Sequence, residues 1–182
     1  MENFSQHTDE QLVSQVKTGN KQAIQMLYER HESYWFRMCL RYGQNREEAQ
    51  DMFQEGVAKV FSVLKKFDLE KGNFKAWSNR VLLNEGLTFL KKQLWQQSFE
   101  DLEEVNDHFS TMDAFGGITA KELTEIIQQL PVGYRVVFNM HELEGYKHQE
   151  IAEIIGITVG TSKSQLFKAK KMLHKKMKVL FS

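Results

Sequence analysis

Apolar residues return every three or four positions along almost the whole chain, and nowhere does apolar–polar alternation persist, so the pattern predicts helices throughout. Thr8 and Gln11 form a capping-box pair ahead of Leu12, Val13 and Val16, and Gly19 stops that first helix. Asn20 caps a second helix, predicted to turn Ala23, Ile24, Leu27, Trp35 and Met38 inward and to end near Gly43. Asn45 opens a third, with Ala49, Met52, Phe53, Val57, Val60, Phe61 and Leu64 on one stripe. The polar run Asp68 to Asn73 interrupts, and a fourth helix carries Phe74, Trp77, Val81, Leu90 and Leu94. Residues 98–118 lose the period. Thr119 and Glu122 then repeat the capping box before Leu123, Ile126, Ile127 and Leu130, and Pro131 ends that helix. The remaining pattern predicts helices over Arg135–Leu143, His148–Ile155 and about Val159–Leu180.

Charge sharpens this division. The 182 residues carry 24 basic and 24 acidic side chains, so the net charge is zero. Yet residues 98–118 contain six acids (Glu100, Asp101, Glu103, Glu104, Asp107 and Asp113) and no Lys or Arg. From Ile157 onward there are seven lysines and no acid. An acidic middle and a basic tail predict separate partners for separate segments. The expected organisation is all-α: two small helical domains, residues 1–97 and 119–182, joined by an acidic linker over 98–118.

Several function classes are excluded by what the chain lacks. A single Cys39 supports neither a disulfide framework nor a cysteine zinc site and fits a reducing cytosol. No apolar run is long enough for a membrane span, and the first ten residues have no signal-peptide core. The six histidines are dispersed without a metal-helix spacing, and no phosphate loop, nucleophile elbow or Ser/His/Asp set is present. The chain is therefore expected to be cytoplasmic, non-enzymatic and free of metal or other cofactor, with no insertion into a membrane.

The most informative stretch runs from Gln149 to Ser164 and has the grammar of a helix-turn-helix. Ala152 is small where two helices cross. Gly156 follows four residues later, where the turn needs a positive φ, and Ile157 is expected to plug the turn into the core. Thr158 caps the next helix and turns its first amides outward. On that helix Lys163, Ser164, Phe167, Lys168 and Lys171 share one side, while Leu166, Ala169 and Leu173 occupy the other. A basic side on the second helix suits a recognition helix in a DNA major groove. The bland alternative is a solvated, lysine-rich face.

Larger blocks carry a family resemblance. Leu130-Pro131, Arg135-Val136-Val137-Phe138, the run Leu143 to Ala152 and the run Gly160 to Lys170 resemble domain four of an extracytoplasmic-function sigma factor. The run Glu48 to Glu55 resembles the clamp-binding helix of that family's domain two, and the run Phe74 to Asn84 its promoter-melting helix. The resemblance covers both domains in the expected order. It implies a transcription initiation factor that binds core RNA polymerase through the β′ clamp helices and the β flap, and that binds promoter DNA. It also makes an anti-sigma factor a candidate partner. Asp51, Gln54 and Glu55, on one helical side, become the polymerase-binding set. Arg80, Asn84, Lys91 and Lys92 become the minus-ten set, with the Asp68–Asn73 loop wrapping an extruded base. Thr161, Lys163, Ser164, Phe167, Lys168 and Lys171 become the minus-thirty-five set. The chain departs from the pattern at Ser162, where the family usually has Val, which implies a looser anchor for the recognition helix. It also departs at Gln165 and Lys168, where Arg is common, and at Thr88, where Asp is usual.

Each set also has a plainer reading: Asp51, Gln54 and Glu55 as a solvated face, Trp77 as core, and Lys91 and Lys92 as surface lysines. The competing functions are a helix-turn-helix regulator that never joins polymerase and a helical protein-interaction module or anti-sigma decoy that needs no DNA.

Overall fold

The computed structural model describes residues 7–96 and 119–180; every regular element among them is helical. The acidic segment 98–118 lies outside the described residues. The chain divides into two compact units, Met1–Cys39 with Glu47–Phe89, and Leu40–Arg46 with Leu90–Ser182.

The first unit begins with α1 (Asp9–Lys17), closed at its start by the Thr8–Gln11 capping box. Gly19, at φ +94°, turns the chain into α2 (Lys21–Tyr42), where the Asn20 carboxamide oxygen accepts from the Gln22 and Ala23 amides. Next come α3 (Arg46–Val63), two 3₁₀ turns (Leu64–Lys66 and Leu69–Lys71) and α4 (Phe74–Gln96). Asn73 caps α4 by accepting from Ala76 N at 2.8 Å. The core is aromatic. Trp35 is wholly buried, meets Phe61 and Phe74 edge-on with centroids 6.3 Å away in each case, and stacks on His31 at 5.3 Å. Trp77 is only half-buried, against Phe67 at 4.8 Å. Asp9 fastens α1 to α2, with Arg30 Nη1 at 2.7 Å and His31 Nε2 at 2.8 Å, and Lys17 Nζ donates to the Phe67 carbonyl at 2.6 Å. Ile24, expected to face inward, is 36% exposed, because it lies at the edge of the apolar stripe rather than beneath it.

Helices α3 and α4 approach so closely that one position has no room for a side chain. A Cβ on Gly56 would lie 2.7 Å from Leu82 Cγ and 3.4 Å from Leu82 Cα. Leu82 is itself buried, so neither partner can step aside freely.

In the second unit α5 (Ala120–Gln128) starts at the Thr119–Glu122 capping box. Pro131 then opens α6 (Val132–Phe138), three residues earlier than the apolar pattern indicated, because its fixed φ suits a helix entrance as well as a helix stop. The expected single helix to Leu143 changes pitch into a π turn over Asn139–Leu143 and closes at Gly145, φ +77°. Helix α7 (His148–Ile155) and α8 (Val159–Leu180) complete the unit. Arg135 of α6 is 1% exposed, and its charge is accommodated by main-chain oxygens: Nε donates to Tyr42 O at 2.8 Å, and Nη1 to Gln128 O and Leu130 O at 3.0 and 2.8 Å. These carbonyls stand at helix ends, where no intrahelical donor reaches them, so the cation and the orphan acceptors satisfy one another.

The α3–α4 contact makes a testable point. Alanine normally stabilises a helix interior relative to glycine by about 1 kcal/mol. At Gly56 the added methyl meets buried Leu82, and overpacking costs typically about 1–3 kcal/mol. Gly56→Ala is therefore expected to lower the thermal unfolding midpoint. A raised midpoint would show that the two helices have slack to separate.

Candidate functional site

The turn between α7 and α8 has the backbone that its sequence requires. Gly156 adopts φ 76° and ψ 40°, left-handed geometry that side chains disfavour. Its amide donates to Ala152 O at 2.9 Å and that of Ile157 to the same oxygen at 3.1 Å, so the end of α7 is closed by main chain. Ile157 is half-buried, a lid on the turn rather than the expected plug in the core. Thr158 caps α8: its hydroxyl oxygen accepts from Thr161 N at 3.0 Å and lies 2.8 Å from Thr161 Oγ1. Leu166, Ala169 and Leu173 are buried on the inner side.

On the outer side Lys163 and Lys171 are exposed, while Thr161, Ser164, Phe167 and Lys168 are half-buried. Ser164 Oγ donates back to the Thr161 carbonyl at 3.0 Å. Lys168 Nζ lies 5.8 Å from the Tyr134 ring centroid, so an aromatic face from α6 steadies that ammonium. Not every lysine of α8 belongs to this surface. Lys170 Nζ pairs with Glu142 at 3.0 Å, both side chains being largely buried, and Lys176 donates to Gln129 Oε1 at 2.7 Å. Burial works to raise the Glu142 carboxyl, but hydrogen bonds from Lys170 and His141 outweigh it and hold the group below its ordinary range. The exposed basic surface is therefore narrower than the seven lysines suggest.

Two departures from the family pattern have structural consequences. Gln165 is 4% exposed and packs against α6 at Gly133, so it faces the core and not the outer side. Ser162 is completely buried, and its hydroxyl lies 2.9 Å from His148 Nδ1. The anchor at Ser162 is thus polar rather than loose. The His148 ring in turn stacks on His141, with centroids 4.4 Å apart and planes 24° apart. Sequence reading saw dispersed histidines, because the seven-residue separation of His141 and His148 spans a π turn and a loop rather than two helical turns. Burial lowers the pKa of His148, and the neighbouring His141 and Lys163 lower it further. Among the described residues no group of three or more His, Cys, Asp or Glu could hold a metal ion. Nor is any described helix long and apolar enough to cross a membrane.

In the first unit Asp51, Gln54 and Glu55 are all exposed along one side of α3, beside half-buried Phe53. Phe53 meets Phe36 at 5.5 Å and Tyr28 at 6.4 Å, so an apolar base underlies the acidic and amide groups. Arg80 and Asn84 are exposed one turn apart on α4, and Lys91 is half-buried; the Lys92 side chain lies outside the described residues. Thr88 donates its hydroxyl hydrogen to Asn84 O at 3.0 Å. The loop before α4 is ordered by Asp68, whose carboxylate accepts from Glu70 N at 3.1 Å.

Comparison with known proteins follows these two regions. Residues 27–96 match the family model described as Sigma-70 region 2, and residues 120–173 match Sigma-70, region 4. The ECF RNA polymerase sigma-E factor of Haemophilus influenzae is 29% identical over 187 residues, covering 96% of this chain and 98% of that protein. The RNA polymerase sigma-H factor of Pseudomonas aeruginosa is 27% identical over 189 residues, covering 97% of each. Two solved structures share the fold. One is CnrH in complex with the cytosolic domain of CnrY, with TM-score 0.51, 19% identity and coverage of 94% of this chain and 97% of that one. The other is the sigma factor RpoE in complex with the anti-sigma factor NepR from Bartonella quintana, with TM-score 0.53, 20% identity and coverage of 85% and 96%. With a region 2 match and a region 4 match in that order, and end-to-end similarity to named sigma factors, the chain belongs to the extracytoplasmic-function sigma factors of RNA polymerase.

Proposed function

We propose that this sigma factor divides its work between residues 1–97 and residues 119–182. The first segment docks on core polymerase and captures the minus-ten element, and the second reads the minus-thirty-five element. The single observation that best supports the reading is the outer side of α8. Lys163, Ser164, Phe167, Lys168 and Lys171 stand on the second helix of a helix-turn-helix, in a segment with no acid after Ile157. Ser164 and Lys168, early on that helix, are where base edges would be met, and Lys171 is where the backbone would be met.

Asp51, Gln54 and Glu55 offer acceptors and negative charge to the β′ clamp helices, with domain four reaching the β flap. Arg80, Asn84, Lys91 and Lys92 would handle the melted strand: Asn pairs with base edges, and the cations meet phosphate. The six carboxylates of residues 98–118 would repel nucleic acid beside them, which suits a segment lying in a channel built for phosphates. The protein carries no reaction of its own; DNA opening draws on binding energy and base capture while the polymerase performs the chemistry. It works in the cytoplasm, and an anti-sigma factor is a natural regulator, since the two solved relatives above are bound to such a protein or to another protein's cytosolic domain. A regulator independent of polymerase would not need the region 2 segment, which disfavours that alternative.

Charge reversal tests the docking side. Asp51→Lys is expected to weaken binding to core polymerase about tenfold or more in a fluorescence titration, because like-charge contacts at an interface cost several kcal/mol. The unfolding midpoint should hardly move, since Asp51 is exposed. Unchanged affinity would remove the acidic side of α3 from the clamp interface.

The recognition helix is tested by separating discrimination from salt dependence. Lys168→Ala is expected to relax preference at one minus-thirty-five position by about 1–3 kcal/mol. Lys171→Ala should weaken all sequences alike and reduce the salt slope by about 0.9. Holoenzyme titrations at several salt concentrations, on a promoter and its single-base variants, read both effects. Identical uniform losses would make α8 a generic basic surface.

A further inference from the structure

The His141–His148–Ser162 cluster contains none of the residues assigned above to base, phosphate or polymerase. It joins three elements of the second unit: the π turn that carries His141, the first residue of α7 and the first turn of α8. Ser162 is wholly buried, and His148 Nδ1 is 2.9 Å from its hydroxyl. Immediately beside Ser162 along α8 stand Thr161 and Lys163, and Ser164 follows; these are the residues at the start of the proposed DNA surface. Resting on the reading of α8 as a recognition helix, we propose that the His148–Ser162 hydrogen bond is a positioning latch. It sets how the first turn of α8 meets DNA, it is closed while His148 is neutral, and it opens when that ring takes a proton.

The charges around His148 explain why its proton state matters. From the π turn it faces His141, stacked at 4.4 Å, and Glu142; from α8 it faces Lys163 and Lys170. The one carboxylate in the set is already engaged: Glu142 Oε1 lies 2.8 Å from His141 Nδ1 and 3.0 Å from Lys170 Nζ. A proton arriving at His148 would meet a second imidazole and two ammonium groups. Burial first, and then these neighbours, hold the pKa of His148 below its ordinary value. Because that pKa is depressed, the neutral, latched form prevails down through the ordinary histidine range, and only acidification through the lowered pKa charges the ring and drives it from the stack. An apolar residue at 162 would anchor α8 with no such dependence.

The test uses the full chain assembled with core polymerase, on duplexes selected from a randomised minus-thirty-five pool and on their single-base variants. For the native protein, the ratio of affinities for the selected site and a variant is expected to hold from about pH 8 down through the ordinary histidine value of about 6.5 and to fall only at more acid pH. His148→Gln keeps a neutral hydrogen-bonding group that cannot titrate, and should preserve discrimination at both ends of the range. Ser162→Val replaces the latch by apolar contact and should flatten the profile as well. Thermal midpoints at each pH establish that the variants are folded, and His148→Gln carries the test if Ser162→Val is not. Profiles identical to the native one in the folded variants would overturn the latch while leaving α8 as the recognition helix. If the native protein fails to discriminate even at about pH 7.5, the recognition reading falls, and the latch with it.

Discussion

The backbone at Gly156 is the constraint on which the second unit depends. Its left-handed conformation lets the amides of Gly156 and Ile157 both return to Ala152 O, so α7 ends within one residue and α8 can leave in a new direction. Everything beyond is set by that exit. Thr158 fixes the first turn of α8, Leu166, Ala169 and Leu173 press its inner side to the core, and the lysines are left outside as a consequence. A side chain at 156 would need about 1–2 kcal/mol to hold the same conformation, and the strain would appear in the angle at which α8 leaves the turn.

Several buried polar groups of the second unit are paired rather than excluded. Arg135 answers three main-chain carbonyls, Lys170 answers Glu142, and His148 answers Ser162. Each pair has a directional requirement that an apolar contact lacks, so together they favour one arrangement of α6, α7 and α8 over slightly rotated ones. The cost is sensitivity to charge state, which the stacked imidazoles concentrate in one place.

Much of this was legible beforehand because it is local. The capping boxes at Thr8 and Thr119, the stop at Gly19 and the turn at Gly156 each depend on a few neighbouring residues, and the limits of α7 and α8 follow directly. What escaped depends on contacts that period cannot encode. Pro131 reads equally as an end or a beginning until the packing of Val132 is known. The π turn shifts register within a continuous apolar run. Lys170 reads as another surface cation until Glu142 is seen beside it, and the burial of Gln165 against Gly133 is a contact that spacing does not reveal. The acidic side of α3 and the outer side of α8 were visible as faces; which lysines were free to serve was not.

The tight approach of α3 to α4 at Gly56 has a mechanical consequence. The side of α3 bearing Asp51, Gln54 and Glu55 and the stretch of α4 bearing Arg80 and Asn84 are joined through buried Leu82 with no room to slide. They therefore move as one lever. Whatever displaces one displaces the other, so the backbone positions that carry Arg80 and Asn84 keep their placement relative to the acidic side of α3 without a separate ordering step. The entropy of fixing that placement is spent when the chain folds and is not lost again on binding.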